Sequence, residues 1–275
     1  MPQLKKILFP VDFSDSCLGA ARYVEAFACQ FKAEITFLHA VSEHDSSFME
    51  KRKAQLDGFH VGGVAGFPIR RVCTVADDPS RAIAEAVRSS NPDLVMMPTH
   101  GLGFFRRHLL GSVTSKMLHD LKCPIWTAVH AEVAPPLEQI HFHKILCSID
   151  LTEHSRDILE WAAWLAREYQ ATLGIVHGIV AADGFAAGWH LREELGRYLS
   201  TQAEVRIEAL QKEAGTKAQV FINPGTPKTV VAHAAAEFKA DLLVIGRHGH
   251  PGLIGDFFPN ATAILRESPC PVISI

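Results

Sequence analysis

The chain has 275 residues, of which 48% are hydrophobic and 21% are charged, and 27 Lys and Arg against 30 Asp and Glu give a net charge of −3. This composition is typical of globular proteins and excludes collagen-like, coiled-coil and disordered chains. Nucleic-acid binding is not expected, because it needs clustered basic residues. Apolar runs stay well short of 18 residues and Asp12 comes too early for a signal peptide, so we expect a cytoplasmic protein without membrane contact.

Taken in chain order, the first half alternates short apolar runs with amphipathic stretches, which predicts a parallel sheet covered by helices. Strands are predicted near 5–11, 34–41, 69–75, 93–98 and 124–129. Helices are predicted near 15–31, 79–90 and 112–121, with a short helix near 46–57. Ser14 is predicted to cap the first helix. Four glycines and a proline between 58 and 68 oppose a helix, so part of one helical cover is expected to be missing.

The second half repeats this order after AEVAPPLEQ at 131–139, which is predicted to be a linker because it has two prolines and no apolar period. Strands are predicted near 143–149, 172–179, 217–222, 241–246 and 271–275. Helices are predicted near 155–169, 190–214, 227–238 and 260–267. Thr152 is predicted to be the N-cap that corresponds to Ser14. The six cysteines form no C-x-x-C pair and are interpreted as reduced, buried small hydrophobes.

Self-comparison shows that the chain is a duplication. KKILFPVDFSDS at 5–16 reappears as HKILCSIDLTEH at 143–154, and DLVMMPTHG at 93–101 reappears as DLLVIGRHG at 241–249. A period near 140 residues is too long for a solenoid repeat. We therefore predict two tandem open-sheet α/β domains, at 1–130 and 140–275, each with a five-stranded parallel sheet.

A ligand is expected beyond the carboxyl ends of the strands, where the strand order reverses. Asp12, at the end of the first strand, is either an acceptor for a ligand or a helix cap, and both alternatives stay open. The loop from Pro98 turns at Gly101, and Gly111-Ser112 opens the next helix. Such a helix start attracts phosphate, although Gly and Ser are also ordinary turn and cap residues. Arg106 and Arg107 on this loop could close over an anion.

The sequence resembles the universal stress protein family, and the resemblance extends over nearly the whole chain. The resemblance is carried by PVDFSDS, LHAV, DLVMMPTHG and the nine residues between Gly101 and Gly111-Ser112. It implies the family fold, which is of the adenine nucleotide alpha hydrolase-like class, and a loop that holds nucleotide phosphates. The implied nucleotide-binding residues are Asp12, Ala40, Val41, Gly101, Gly111 and Ser112.

Each half departs from the family pattern at one point. Pro98 stands where the first motif glycine is expected, and proline removes an N–H group. The second half keeps Gly246 and Gly249 but has Pro259-Asn260 in place of Gly-Ser. We therefore expect nucleotide binding mainly in the first domain.

The resemblance implies binding of ATP or ADP, with Mg²⁺ as an accompanying ion, and a stress-sensing or regulatory role without efficient catalysis. Slow ATP hydrolysis stays open, and the alternative is an interaction or scaffold module with degenerate pockets. The family also implies that the last strands of the two domains pair within one chain, and a homodimer is a further expectation. His39 and His177 are interpreted as core histidines rather than catalysts.

Overall fold

The computed structural model describes residues 2–42, 48–59, 66–100, 110–179, 189–247 and 259–275. Within these ranges the chain forms two compact units, Pro2–His141 and Phe142–Ile275. Both units are parallel α/β sheets, and every strand and helix predicted from the sequence is present. No helix in the described ranges has the length and apolar character that a bilayer crossing requires.

The first unit has its strands in the order β3-β2-β1-β4-β5. The strands are β1 (Lys6–Pro10), β2 (Glu34–Val41), β3 (Ile69–Val75), β4 (Leu94–Met96) and β5 (Ile125–Thr127). The helices are α1 (Asp15–Phe31), α2 (Met49–Asp57), α3 (Pro79–Ser90) and α4 (Ser112–Asp120). The central strands are apolar and buried because helices cover both faces of such a sheet.

The second unit repeats this topology in the order β10-β9-β6-β7-β8. The strands are β6 (Lys144–Ser148), β7 (Thr172–Ile179), β8 (Gln219–Pro224), β9 (Leu242–Ile245) and β10 (Val272–Ser274). The helices are α5 (Ser155–Tyr169), α6 (Trp189–Ala214), α7 (Pro227–Phe238) and α8 (Pro259–Glu267). In both units the strand order reverses beside the first strand, which fixes the position of the expected crevice.

The turn from the first strand into the first helix is built alike in both units. Phe13 and Leu151 follow the strand-end aspartates and have positive φ angles of 61° and 62°. Ser14 caps α1 as predicted, since its Oγ accepts the Cys17 N–H at 3.1 Å. The prediction for Thr152 is wrong: α5 begins three residues later, and the Thr152 hydroxyl donates to the strand-end aspartate instead.

The two units differ most in the cover between their second and third strands. α2 has 9 residues, whereas α6 has 26, so the expected loss of helical cover in the first unit is confirmed. Phe59 fills part of this space, because its ring lies 5.2 Å from Phe37 and 6.3 Å from Phe9, measured between centroids. The Arg71 guanidinium donates to the Phe59 carbonyl at 3.0 Å and so holds this segment against β3.

Residues 131–139, predicted as a linker, form two short 3-10 turns at Ala131–Val133 and Leu137–Gln139 and belong to the first unit. The first turn packs closely on α1. A side chain on Gly19 would place its Cβ 1.7 Å from the Ala131 carbonyl oxygen, so only glycine allows this approach. Arg22 of α1 also donates to the Ala134 carbonyl.

The expectation of buried cysteines holds for Cys17 and Cys147, whereas Cys29 is exposed on the surface of α1. The sequence placed Cys29 in an apolar stretch, but its position on the helix faces solvent. Burial raises the pKa of the Cys17 thiol to about 12, so this thiol stays protonated.

Candidate functional site

The first unit has a cavity of about 460 Å³ at the carboxyl ends of β1, β2 and β4. This volume lies within the range of small-molecule sites. Asp12, Ala40, Gly111 and Ser112 all line the cavity, so four of the six predicted site residues come together there. Val41 is buried at the end of β2 and its carbonyl accepts the Ala76 N–H, while Gly101 lies outside the described residues.

Asp12 both stabilises the turn after β1 and lines the cavity. Its Oδ1 accepts the Ser14 backbone N–H at 3.0 Å and the Ser14 hydroxyl at 2.7 Å. Since both hydrogen bonds reach the same oxygen, the lone pairs of Oδ2 can accept a hydrogen bond from a ligand. The local turn thus orients the carboxylate at the mouth of the cavity.

The start of α4 forms another wall of the cavity. The first intrahelical hydrogen bond runs from the Ser115 N–H to the Gly111 carbonyl at 2.8 Å, so the N–H groups of Ser112, Val113 and Thr114 precede the helical ladder. Ser112 is exposed and contributes its hydroxyl. The positive end of the helix dipole and these donors favour an anionic group at this position.

The backbone N–H group of Gly111 is not available to a ligand. Its N–H donates to the Thr99 carbonyl at 2.7 Å. A Cβ at this position would lie 3.2 Å from the same carbonyl oxygen, so a larger residue would require the Thr99 segment to shift by a few tenths of an ångström. Gly111 therefore fixes the loop against the start of α4, and the donors for an anion begin at Ser112.

Pro98 also belongs to this wall. It lines the cavity, and its carbonyl accepts the Thr114 hydroxyl at 3.0 Å. Proline has no N–H group, so this segment gives the cavity no donor at the first motif position. The hydrogen bond ties the loop to α4 and keeps the wall in place.

His39 is a cavity residue that the sequence interpretation missed, because a histidine in an apolar strand was assigned to the core. It is half-buried and lines the cavity, and its Nδ1 lies 2.7 Å from the Val11 carbonyl oxygen. Since a carbonyl can only accept, Nδ1 carries the proton and Nε2 of the neutral ring is an acceptor. Desolvation lowers the pKa of His39, so the ring is neutral at pH 7.

The second unit has a cavity of about 530 Å³ at the corresponding edge. Asp150 and His177 line it, as Asp12 and His39 line the first cavity. His177 is half-buried and lines the cavity, so it does not lie in the core either, and its Nδ1 lies 2.9 Å from the Ile149 carbonyl oxygen. The position of each histidine in its strand could have predicted that it lines the cavity, because each stands two residues before the last residue of the strand.

Gly246 is explained by packing in the second unit. A Cβ on Gly246 would lie 2.5 Å from Cδ1 of Ile158 on α5. At the repeat offsets of 148 and 138, the first unit has Pro98 and the buried Ala20 at these two positions. Of these two positions, the larger residue is therefore on the loop in the first unit and on the helix in the second.

The class of protein follows from this geometry: two successive open parallel α/β sheets, each with a cavity at the point where its strand order reverses. The model of the universal stress protein family matches residues 3–128 and again residues 141–275. The chain belongs to the universal stress protein family, with two copies of the family domain in tandem.

Individual relatives agree with this assignment. Universal stress protein A homolog 1 of Coxiella burnetii is 29% identical over 145 residues, which are 50% of this chain and 97% of the relative. A universal stress protein of Thermus aquaticus is 28% identical over 136 residues, which are 49% and 98% of the two chains. A solved universal stress protein from Archaeoglobus fulgidus shares the fold over 99% of this chain and 96% of its own, with a TM-score of 0.72 and 22% identity.

Proposed function

We propose that the first unit binds an adenine nucleotide, ATP or ADP, and that the chain has a stress-sensing or regulatory role rather than an efficient enzymatic one. One observation carries the proposal. Asp12, Ala40 and the start of α4 line a single cavity at the switch point of the sheet. These are the residues that the family resemblance assigned to a nucleotide.

The chemistry of the cavity divides into two ends. Asp12 and the neutral His39 supply acceptors at the ends of β1 and β2, which suits the amino group of a base or a ribose hydroxyl. The N–H groups from Ser112 onward and the Ser112 hydroxyl supply donors for phosphate oxygens.

Mg²⁺ would reach this site with the nucleotide. The described residues contain no cluster of three or more His, Cys, Asp or Glu side chains that could hold a metal ion. The phosphates would provide most of its ligands, and the Ser112 hydroxyl, which lines the cavity at the start of α4, could add a protein oxygen.

Isothermal titration calorimetry with ATP and ADP tests the proposal on the full chain. We expect binding by the wild-type chain at nucleotide concentrations below about 1 mM. Asp12→Asn should weaken it at least tenfold, since the substitution removes a charge-assisted hydrogen bond worth about 1.5–3 kcal/mol. The asparagine side chain keeps an acceptor for Ser14, so the turn should survive.

The duplication supplies the matched control, Asp150→Asn, which makes the same change in the second unit. It should leave ATP affinity unchanged. No binding of either nucleotide at about 1 mM by the wild-type chain would refute the proposal. An equal loss in both variants would refute the assignment to the first unit.

The alternative function is an interaction or scaffold module without nucleotide. Two observations favour it: Pro98 has no N–H group, and the Gly111 N–H is already bonded to Thr99. Both reduce the donors available to phosphate. The same titration separates the two functions, because a scaffold module should bind neither ATP nor ADP.

The pairing of the two units through their last strands, the homodimer and the cytoplasmic location stay predictions.

A further inference from the structure

The long helix α6 carries a second apolar stripe, which is exposed. The helix packs on its own unit through a face that includes the buried Ala203 and Ile207. Leu195, Tyr198 and Val205 lie on a different face, with exposed fractions of 39%, 61% and 58%. Single exposed apolar residues are common on proteins, but these three belong to one stripe of one helix. α6 therefore has one apolar face for its own core and another in solvent.

The stripe has the spacing that is typical of two paired helices. Its members recur at alternating steps of three and four residues, and all are exposed: Leu195, Tyr198, Gln202, Val205 and Ala209. This is the heptad pattern of the contact positions in coiled coils. At about 100° per residue, the centre of the stripe lies roughly 130° around the helix from the buried face. A second helix can therefore lie along the stripe while α6 stays packed on its own unit.

An antiparallel copy of α6 complements the stripe in size. When two copies run in opposite directions about a two-fold axis at the middle of the stripe, Tyr198 of one copy faces the small Ala209 of the other. In the same register, Gln202 faces Val205. In a parallel pair each residue would face itself, so two Tyr198 rings would compete for one space. The antiparallel pair thus packs a large side chain against a small one, as close packing requires.

The charges beside the stripe also favour an antiparallel pair. One flank of the stripe carries four exposed charged residues: Glu194, Arg197, Glu208 and Lys212. In the antiparallel register Glu194 faces Lys212 of the other copy, and Arg197 faces Glu208. A parallel pair would instead place Glu194 against Glu194. Within one chain, Arg197 lies 3.9 Å from Glu193 in an exposed pair, which is weak and leaves Arg197 able to contact a second carboxylate. Charges beside the contact positions set the direction of paired helices.

We propose that the stripe on α6 is a dimerisation surface, occupied by α6 of a second copy of this chain in antiparallel orientation. This surface is separate from the last strands, through which the family resemblance implies pairing. α6 has 26 residues, and one pair of helices about 39 Å long buries less than about 1,200 Å² in total, which is the range of weak association. We therefore expect a reversible dimer at micromolar concentrations. The proposal does not depend on nucleotide binding.

Sedimentation velocity of the full chain tests the proposal over about 2–200 µM, the range expected for a weak interface. The wild-type chain should change from monomer to dimer over this range. Val205→Glu should raise the dissociation constant by at least about tenfold, because it places a charge at a contact position of the stripe. The matched control is Val133→Glu, at a valine that is 73% exposed outside α6, and it should leave association unchanged.

A charge-swap series tests the antiparallel direction. Lys212→Glu brings two carboxylates together, and Glu194→Lys brings two ammonium groups together. Each single variant should raise the dissociation constant by at least about fivefold, since like charges replace opposite ones at both ends of the pair. The double variant restores opposite charges, so its dissociation constant should return to within about twofold of the wild-type value. A double variant that associates no better than the single variants would overturn the antiparallel arrangement.

Two further outcomes would overturn the proposal. One is a wild-type chain that stays monomeric at about 200 µM, above the range expected for a weak interface. The other is a dimer that Val205→Glu leaves unchanged, because such a dimer would form through a different surface. Circular dichroism shows whether each variant keeps its helix content. If Val205→Glu loses helix content, the charge-swap series decides the question, because Glu and Lys are both good helix formers.

Discussion

The substitution Gly246→Ala tests whether this glycine is required by packing. The new Cβ would lie 2.5 Å from Cδ1 of Ile158, a distance that forces one of the two to move. Overpacking of this kind destabilises a protein by about 1–3 kcal/mol. A Gly→Ala substitution at a backbone conformation that alanine can adopt stabilises it by about 0.4–1 kcal/mol, because it lowers the conformational entropy of the unfolded chain. Because Ile158 borders the cavity and can turn into it, we expect a net loss of about 1 kcal/mol.

A double-mutant cycle with Ile158→Val isolates the contact, because this substitution removes Cδ1 itself. In the wild-type background it should cost about 1 kcal/mol, within the usual range for Ile→Val. With Ala at 246 it should cost almost nothing, since the deleted methyl group is the one in conflict. The coupling energy is then about 1 kcal/mol.

Urea unfolding of the full chain, followed by tryptophan fluorescence and circular dichroism, measures these differences. Trp161 and Trp164 lie on α5 with Ile158, their ring centroids 5.4 Å apart, so they report on the second unit. ATP affinity should be unchanged in Gly246→Ala. Additive losses in the cycle, or loss of ATP binding with the fold intact, would refute the packing explanation.

Gly19→Ala should release the 131–134 turn from α1, because the new Cβ would overlap the Ala131 carbonyl. Limited proteolysis should then cleave this turn faster than in the wild-type chain, and equal cleavage rates would contradict the prediction. Desolvation lowers the pKa of His39, with Arg52 also lowering it and the Val11 carbonyl and Asp12 raising it. Protonation therefore favours the unfolded state, so the melting temperature should decrease as the pH is lowered below about 6.5. His39→Gln should make the dependence of melting temperature on pH weaker in this range. In the native protein, Cys29 should react with a thiol reagent well before the buried Cys17 does; equal rates would contradict the burial pattern.

The sequence predicted the elements well because each one has a strong local signal. The apolar runs alternate with helical periods, and the duplication lets each half check the other. β4 and β5 are shorter than predicted, at Leu94–Met96 and Ile125–Thr127, although backbone hydrogen bonds continue beyond them, from the Met97 N–H to the Trp126 carbonyl and from the Thr99 N–H to the Ala128 carbonyl. Boundaries of this kind depend on neighbouring strands and not on local composition.

The candidate site was predicted in part. Asp12 and Ser112 follow from a strand end and a helix start, which are local features, whereas Ala40 was implied by the family resemblance. The N–H of Gly111 is bonded to Thr99, and Gly246 faces Ile158, through contacts between segments distant in sequence.

The filling of the first unit's reduced cover by Phe59 could not be predicted either. A phenylalanine beside a glycine-rich stretch carries no periodic signal, and its three aromatic neighbours come from β1, β2 and the turn after β1. Such tertiary contacts determine which hydrogen-bond donors and which cavity walls are available to a ligand.

The most direct test of the central claim locates bound nucleotide on the chain. Photolabelling of the full chain with 2-azido-ATP, followed by peptide mapping, identifies the residues beside the base. We predict labelled peptides from residues 2–141, near Asp12 and Ala40, and loss of labelling in the presence of excess ATP. Labelling confined to residues 142–275, or labelling that ATP does not compete, would contradict the assignment of the nucleotide to the first unit.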